Sequence, residues 1–267
     1  MQKGIFENVA VIILAAGLGT RMKSGKAKVL HKVLGRPMIL YVVETAKKIV
    51  GKNVILVIGN QAEKVREIVS ENFPLPAESG EGADGNDEFG FALQKEQLGT
   101  GHAVSYALPS VPGHIENVII LCGDVPLITA DTLIRLIDDH VTGKRDISLL
   151  AVQVDDPKGY GRILMDENMH ISGIVEEADA TEAQKKIKTI NAGIYCVKKA
   201  FLTDALQKIK SDNAQGEFYL TDIIGIGHKE GRHIGVMIGS TPDEVIGINT
   251  PHDLMTVETV MRSGKIS

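Results

Sequence analysis

Apolar residues along this chain alternate between short continuous runs and longer stretches with helical spacing. Val9-Ala10-Val11-Ile12-Ile13-Leu14 is unbroken and largely β-branched, and it stops short of Gly17 and Gly19. Such a run reads as a strand buried on both faces that feeds a tight loop. Pro37 opens a helix whose apolar positions Ile39, Val42, Val43, Ala46, Ile49 and Val50 share one face, and Gly51 ends it. Residues 53–58 form the next buried strand, and 61–70 a charged helix. Residues 93–103 lead into a third helix that ends before Pro109, with Thr100 as its N-cap. The run 118–122 is a strand stopped by Gly123-Asp124-Val125-Pro126. Thr129 starts a helix with Leu133, Leu136 and Ile137 on one face, and 147–154 is strand again. This alternation predicts an α/β fold: a Rossmann-like, mostly parallel central sheet with helices on both faces.

From Asp155 the texture changes. Turn-rich segments such as Asp156-Pro157-Lys158-Gly159-Tyr160-Gly161 alternate with short strands near 162–165, 170–177 and 189–197. They read as a small β-rich excursion laid over the sheet, part of one domain spanning 1–267. Helices follow near 199–208 and 219–230, and a last strand, 245–248, ends at Asn249. Thr250-Pro251-His252-Asp253 supplies an N-cap, an N1 proline and a capping-box acid for a terminal helix over 251–267. Residues 77–90 are acidic and glycine-rich, a solvated insertion to which no chemistry is assigned.

Composition narrows the function. A chain of 267 residues that is 43% hydrophobic can build a substantial core. A net charge of −5, few aromatics and no Trp disfavour nucleic acid as a partner. No apolar run is long enough for a membrane span, and no signal-peptide layout opens the chain. Cys122 and Cys196 both sit in apolar runs, as in a reduced, cytoplasmic protein. The composition does not reach oligomeric state.

The loop after the first strand carries candidate chemistry. Glycines let backbone N–H groups approach an anion, Arg21 offers a planar fork, and Lys28 a movable point charge. The dinucleotide fingerprint is excluded because Met22 stands where its third glycine belongs, which also removes an NAD-dependent oxidoreductase. The Walker pattern is excluded because Gly19 and Gly25 are one residue too far apart and Ala27 follows Lys26. By these residues alone, a plain β-α turn stays open. Leu-Ala-Ala-Gly-x-Gly-Thr-Arg-Met followed by Lys-Val-Leu-His, however, resembles the signature of sugar-1-phosphate nucleotidyltransferases. Within that family it is most similar to the uridylyltransferase half of the bacterial GlmU enzymes.

The glycine loop, Asp124 and Asn249 each follow a predicted strand, and ligands of open α/β sheets bind beyond the carboxyl ends of strands. Asp124 is an oxygen donor suited to Mg²⁺, and Asn249 offers a neutral carbonyl oxygen. Asp124 can equally cap the turn before Pro126, and Asn249 can merely end its strand. Gln94 carries an amide that matches the imide edge of uracil, although a surface glutamine is the plainer reading. Gly99 would let a base approach the backbone, and His102 is structural.

The resemblance implies more. It makes 5–154 the nucleotide-binding part and 155–250 the sugar-binding part. Leu14, Ala15, Ala16, Gly17, Gly19, Thr20, Gln94, Gly99, Thr100 and Gly123 would bind nucleotide. Gly161, Glu176 and Asn191 would bind sugar, and Asp124 and Asn249 would hold Mg²⁺, with Arg21, Lys28 and Asp124 catalytic. The implied reaction is uridylyl transfer from UTP to a sugar 1-phosphate, most similar to the N-acetylglucosamine 1-phosphate enzymes, giving UDP-sugar and pyrophosphate. Another nucleotide or acceptor, or a binding module without turnover, stays open. The chain departs from the family at Cys122, where an aromatic is frequent, at Ala178, where a lysine is frequent, and in the length of 77–90. No segment resembles the hexapeptide-repeat acetyltransferase that completes GlmU, which leaves open a monofunctional enzyme or a piece of a bifunctional one.

Overall fold

The computed structural model describes residues 6–74, 89–264 and 266. The acidic stretch expected over 77–90 therefore lies outside the described residues, except for Phe89, which is buried, and Gly90, which begins a strand. In chain order the elements are β1 (Val9–Ala15), β2 (Lys32–Val33), β3 (Arg36–Pro37), α1 (Met38–Val50), β4 (Val54–Ile58), α2 (Ala62–Asn72) and β5 (Gly90–Leu93). Then come α3 (Thr100–Ala107), β6 (Asn117–Cys122), α4 (Ala130–Thr142), β7 (Ile147–Gln153), β8 (Arg162–Met165) and β9 (Ile171–Val175). The chain closes with β10 (Thr189–Lys198), α5 (Lys199–Leu206), α6 (Asp222–Lys229), β11 (Ile234–Ile238) and α7 (Pro251–Ser263).

The central sheet runs β11-β7-β10-β6-β1-β4-β5. β1 pairs in parallel with both β4 and β6, so its backbone is bonded on two sides and its alternate side chains enter two cores. Val9, Val11 and Ile13 pack with α1, α2, α4 and α7, whereas Ala10 and Ile12 pack with α3, α5 and α6. Burial on both faces is why the sequence of β1 shows no polar alternation.

Two expectations are corrected. Residues 189–197 are not part of an excursion over the sheet: β10 is a central strand, inserted antiparallel between β6 and β7. Only β8 and β9 form the appended hairpin, joined to β10 through Ile190 and Arg162. Nor is 245–248 a strand. Residues 242–245 form a single 3₁₀ turn, and the strand near this end is β11, parallel to β7. Its sequence, Ile234-Gly235-Val236-Met237-Ile238, is nearly all apolar although the strand is only half-buried at the sheet edge. The terminal helix is as expected: Thr250 and Asp253 form a complete capping box around Pro251.

Beneath the sheet, His140 of α4 is buried, with Nδ1 3.0 Å from Ser148 Oγ and Nε2 3.2 Å from Asn117 Oδ1. Burial, then the Lys198 and Arg145 charges, lower its pKa to about 4 against the opposing Asp146 and Asp139. The native imidazole stays neutral while the unfolded one takes a proton near its ordinary value, so stability is lost as pH falls from about 6.5 to about 4. Urea unfolding should show wild-type protein losing on the order of 3 kcal/mol more than His140→Gln across that window. Parallel pH profiles for the two proteins would rule this out.

Candidate active site

β1 ends at the sheet's carboxyl edge, and the chain turns there through Ala16 to Thr20. Gly19 adopts φ 68°, and a Cβ at that position would lie 2.6 Å from Lys28 Cβ. Only glycine lets the loop fold back against the segment that carries Lys28. Among the described residues, the backbone N–H groups from Gly17 to Arg21 are not consumed by any hydrogen bond, and Gly17, Leu18, Thr20 and Arg21 are exposed. These are free donors at a strand end, the arrangement that cradles an anion. Gln61, which follows β4, fastens the far side of the loop: its Nε2 donates to Gly25 O (2.7 Å) and its Oε1 accepts from Ala27 N (3.1 Å). The sequence reading missed this residue, although its place after a buried strand was the signal that located Asp124.

Next to β1, β6 delivers Gly123 and Asp124. Gly123 N donates to Leu14 O (2.9 Å), and a Cβ there would press within 3.0 Å of that oxygen and of Ile39. The third segment arrives without being a strand: Ile248 N donates to Asp124 O (2.9 Å), which sets Asn249 beside Asp124. Four side chains thereby converge. Lys28 Nζ is paired with Asp124 Oδ2 and donates to Asn249 Oδ1 (2.6 Å), and Arg21 Nη2 donates to the same Asn249 oxygen (2.8 Å). Asn249 therefore ends no strand, and both side chains face the Lys28 ammonium.

Gln94, placed at the end of β5, is 3% exposed, which removes the surface-glutamine alternative. Its Nε2 lies 3.2 Å from Gly99 O and 3.0 Å from His102 Nδ1, while His102 also stacks on Phe218. His102 is structural, as expected. Thr100 is not the N-cap: Gly99 holds that position, and Thr100 Oγ1 accepts instead from Leu220 N (3.0 Å). The glycine at 99 has a further cause, since a Cβ there would lie 2.6 Å from Phe218 O.

The segments around β8, β9 and β10 carry Gly161, Glu176 and Asn191. Asn191 stands beside a bulge of β10, where Asn191 Nδ2 donates to Tyr195 Oη (2.7 Å) and Gly193 N to Asn191 Oδ1 (3.1 Å). Asn191 N donates to Gly161 O (2.9 Å). Glu176 accepts from Thr221 Oγ1 (3.0 Å), and burial pushes its carboxyl above the usual range despite that bond. Thr221 had no assigned role in the sequence. Cys122 Sγ lies 3.7 Å from Gly193 O; burial, then the Asp124 carboxylate, push the thiol up to about 12. At neutral pH it is no nucleophile.

Comparison with known proteins identifies the family. The family model described as nucleotidyl transferase matches residues 10–243. Bifunctional protein GlmU of Caldanaerobacter subterraneus subsp. tengcongensis is 46% identical over 257 residues, covering 96% of this chain and 52% of that protein. GlmU of Desulfotalea psychrophila is 42% identical over 254 residues, covering 95% of this chain and 70% of that protein. The chain spans about half the length of the first of these relatives. A solved structure of a putative glucose-1-phosphate thymidylyltransferase from Bacillus anthracis shares the fold, with a TM-score of 0.72, 21% identity and 95% of each chain covered. By the family match and the length of the shared sequence, this chain belongs to the nucleotidyltransferases, in the GlmU group.

Proposed function

We propose that the chain catalyses Mg²⁺-dependent uridylyl transfer from UTP to a sugar 1-phosphate, with N-acetylglucosamine 1-phosphate as acceptor, in the cytoplasm. One observation carries the reading: Arg21 and Lys28 from the loop after β1, Asp124 from the end of β6 and Asn249 from a third segment meet at the carboxyl ends of β1 and β6. Likeness to the GlmU group along nearly the whole chain supports the choice of base and acceptor.

Asp124 and Asn249 fit a hard divalent ion. A carboxylate oxygen and an amide oxygen bear on one cationic atom, Lys28 Nζ, so both donors address one point. Among the described residues, no group of three or more His, Cys, Asp or Glu is arranged to hold a metal. Asp124 and Asn249 would therefore hold Mg²⁺ together with phosphate oxygens and water. When bound, the ion supplies charge neutralisation at the triphosphate.

The protein's own groups do the rest. The free N–H groups of Gly17 to Arg21 and the Arg21 fork hold the terminal phosphates. A sugar-phosphate oxygen, already anionic, attacks the α-phosphorus in line. The new O–P bond forms as the bond to the bridging oxygen breaks, and pyrophosphate leaves with the electron pair. No nucleophilic side chain is required, which suits the protonated Cys122. Lys28 places positive charge where negative charge gathers, so catalysis is positioning plus electrostatic stabilisation.

Pyrophosphate release measured with four NTPs against several sugar phosphates should be fastest for UTP with N-acetylglucosamine 1-phosphate. A preference for another nucleotide, or no release at all, overturns the reading. Asp124→Asn should lower turnover by about two to three decades in a folded protein, and near-normal rates would remove Asp124 from the site.

Lys28→Ala should depress kcat and kcat/KM together, and Lys28→Arg should rescue poorly because a planar fork cannot replace a compact ammonium. Initial-rate plots should intersect, since both substrates are bound at once; parallel lines would mean a nucleotidylated enzyme.

Gln94→Ala should weaken UTP by roughly 10- to 100-fold while leaving pyrophosphate binding alone, because of the parts of the nucleotide only the base would bond to this side chain. Equal losses for UTP, CTP and ATP would make Gln94 a strut for Gly99 and nothing more.

A further inference from the structure

Arg162, at the start of β8, is 1% exposed. Its Nη1 donates to Tyr160 O, and its Nη2 donates to Glu177 Oε2 (2.6 Å) and to Lys185 O (3.5 Å). Nε is buried with no partner among the described residues. Glu177 Oε2 also accepts from Gly159 N (3.1 Å), so one carboxylate oxygen ties the 157–161 turn to the end of β9. In the sheet, Arg162 stands opposite Val175 of β9 and Ile190 of β10.

We infer that the Arg162–Glu177 pair is a positioning device for the acceptor pocket: it fixes Gly161, Glu176 and Asn191 relative to one another and so sets sugar-phosphate affinity without touching the sugar. This rests on the acceptor reading of those three residues. Two of them are chain neighbours of the pair, Gly161 preceding Arg162 and Glu176 preceding Glu177, while Asn191 follows Ile190, the strand partner of Arg162, and its N–H donates to Gly161 O (2.9 Å). The two glutamates bond in different directions, Glu177 to the buried guanidinium and Glu176 to Thr221. The tolerance is small, because a Cβ on Gly161 would lie 2.9 Å from Ile174 Cγ2 and 3.3 Å from Glu176 Oε2. A buried ion pair adds little net stability over an apolar pair, yet it is demanding of geometry. Here that geometry is spent at the boundary between a turn and three strands.

Glu177 is a third exposed, so its substitution opens no core cavity. It does leave the buried Arg162 guanidinium without its carboxylate, and urea unfolding of each variant therefore accompanies the kinetics. Steady-state kinetics should be run on wild type, Glu177→Gln, Glu177→Ala and Arg162→Lys with sugar phosphate and UTP varied separately. Amide exchange should be followed over 157–163 in the same proteins. Glu177→Gln should raise KM for the sugar phosphate about tenfold with kcat and the UTP KM within about twofold. Glu177→Ala should raise it further and speed exchange at Gly159, and Arg162→Lys, which keeps the charge and loses the fork, should show the same split. An unchanged sugar-phosphate KM in Glu177→Ala, or equal rises for both substrates, overturns the inference. Should wild type form no nucleotide sugar, the acceptor reading falls, and exchange decides the clamp. Faster exchange in Glu177→Ala then retains it, and unchanged exchange overturns it.

Discussion

Every feature of the cleft depends on β1 being bonded on both sides by parallel strands. With β4 and β6 bonded to its two edges and close-packed apolar cores above and below, Val9–Ala15 cannot slide without breaking both ladders and forcing side chains of other sizes into each core. Its carboxyl end is therefore a fixed point. Parallel pairing also aligns the ends of β4, β5 and β6 with it, which is how Gln61, Gln94 and Asp124 come to surround one loop. The chemistry is carried by loops, and its precision by a strand that carries none.

Charge at the cleft follows the same division of labour. Arg21 and Lys28 come from the loop, Asp124 from a strand end, and Asn249 from a segment docked by one backbone bond from Ile248 to Asp124. The cations are thus balanced by one full negative charge and one amide dipole. That leaves net positive character facing the free N–H donors, suited to a ligand richer in negative charge than Asp124 alone.

Much of this was legible in the sequence where burial is symmetric. Continuous apolar runs located β1, β4, β6 and β7, and glycines at their ends located the loops. The motifs also brought Arg21, Lys28, Asp124 and Asn249 into one site. What escaped has a physical reason. β10 reads as a strand, but nothing in a single run of residues reveals its direction or that it inserts between β6 and β7; only long-range pairing does. β11 is short and at the sheet edge, and Ile234-Gly235-Val236-Met237-Ile238, though nearly all apolar, carries no alternation that would separate a strand from other buried structure. Thr100 looks like a helix cap, and tertiary contact with Leu220 claims its hydroxyl instead. The burial of Arg162 escaped because it depends on Glu177, which lies beyond the end of β9.

The insertion of β10 bears on the order in which the sheet can be made. β7 has no bond to β6; it joins the sheet only through β10 on one side and carries β11 on the other. While the ribosome has delivered the chain only as far as β9, β6 remains an open edge and β7 has neither of its neighbours. The β1–β6 part of the sheet and the β7–β11 part therefore cannot be completed one after the other. A single late strand closes both at once, making the sheet's assembly a long-range, cooperative event that exposes an apolar edge until it happens.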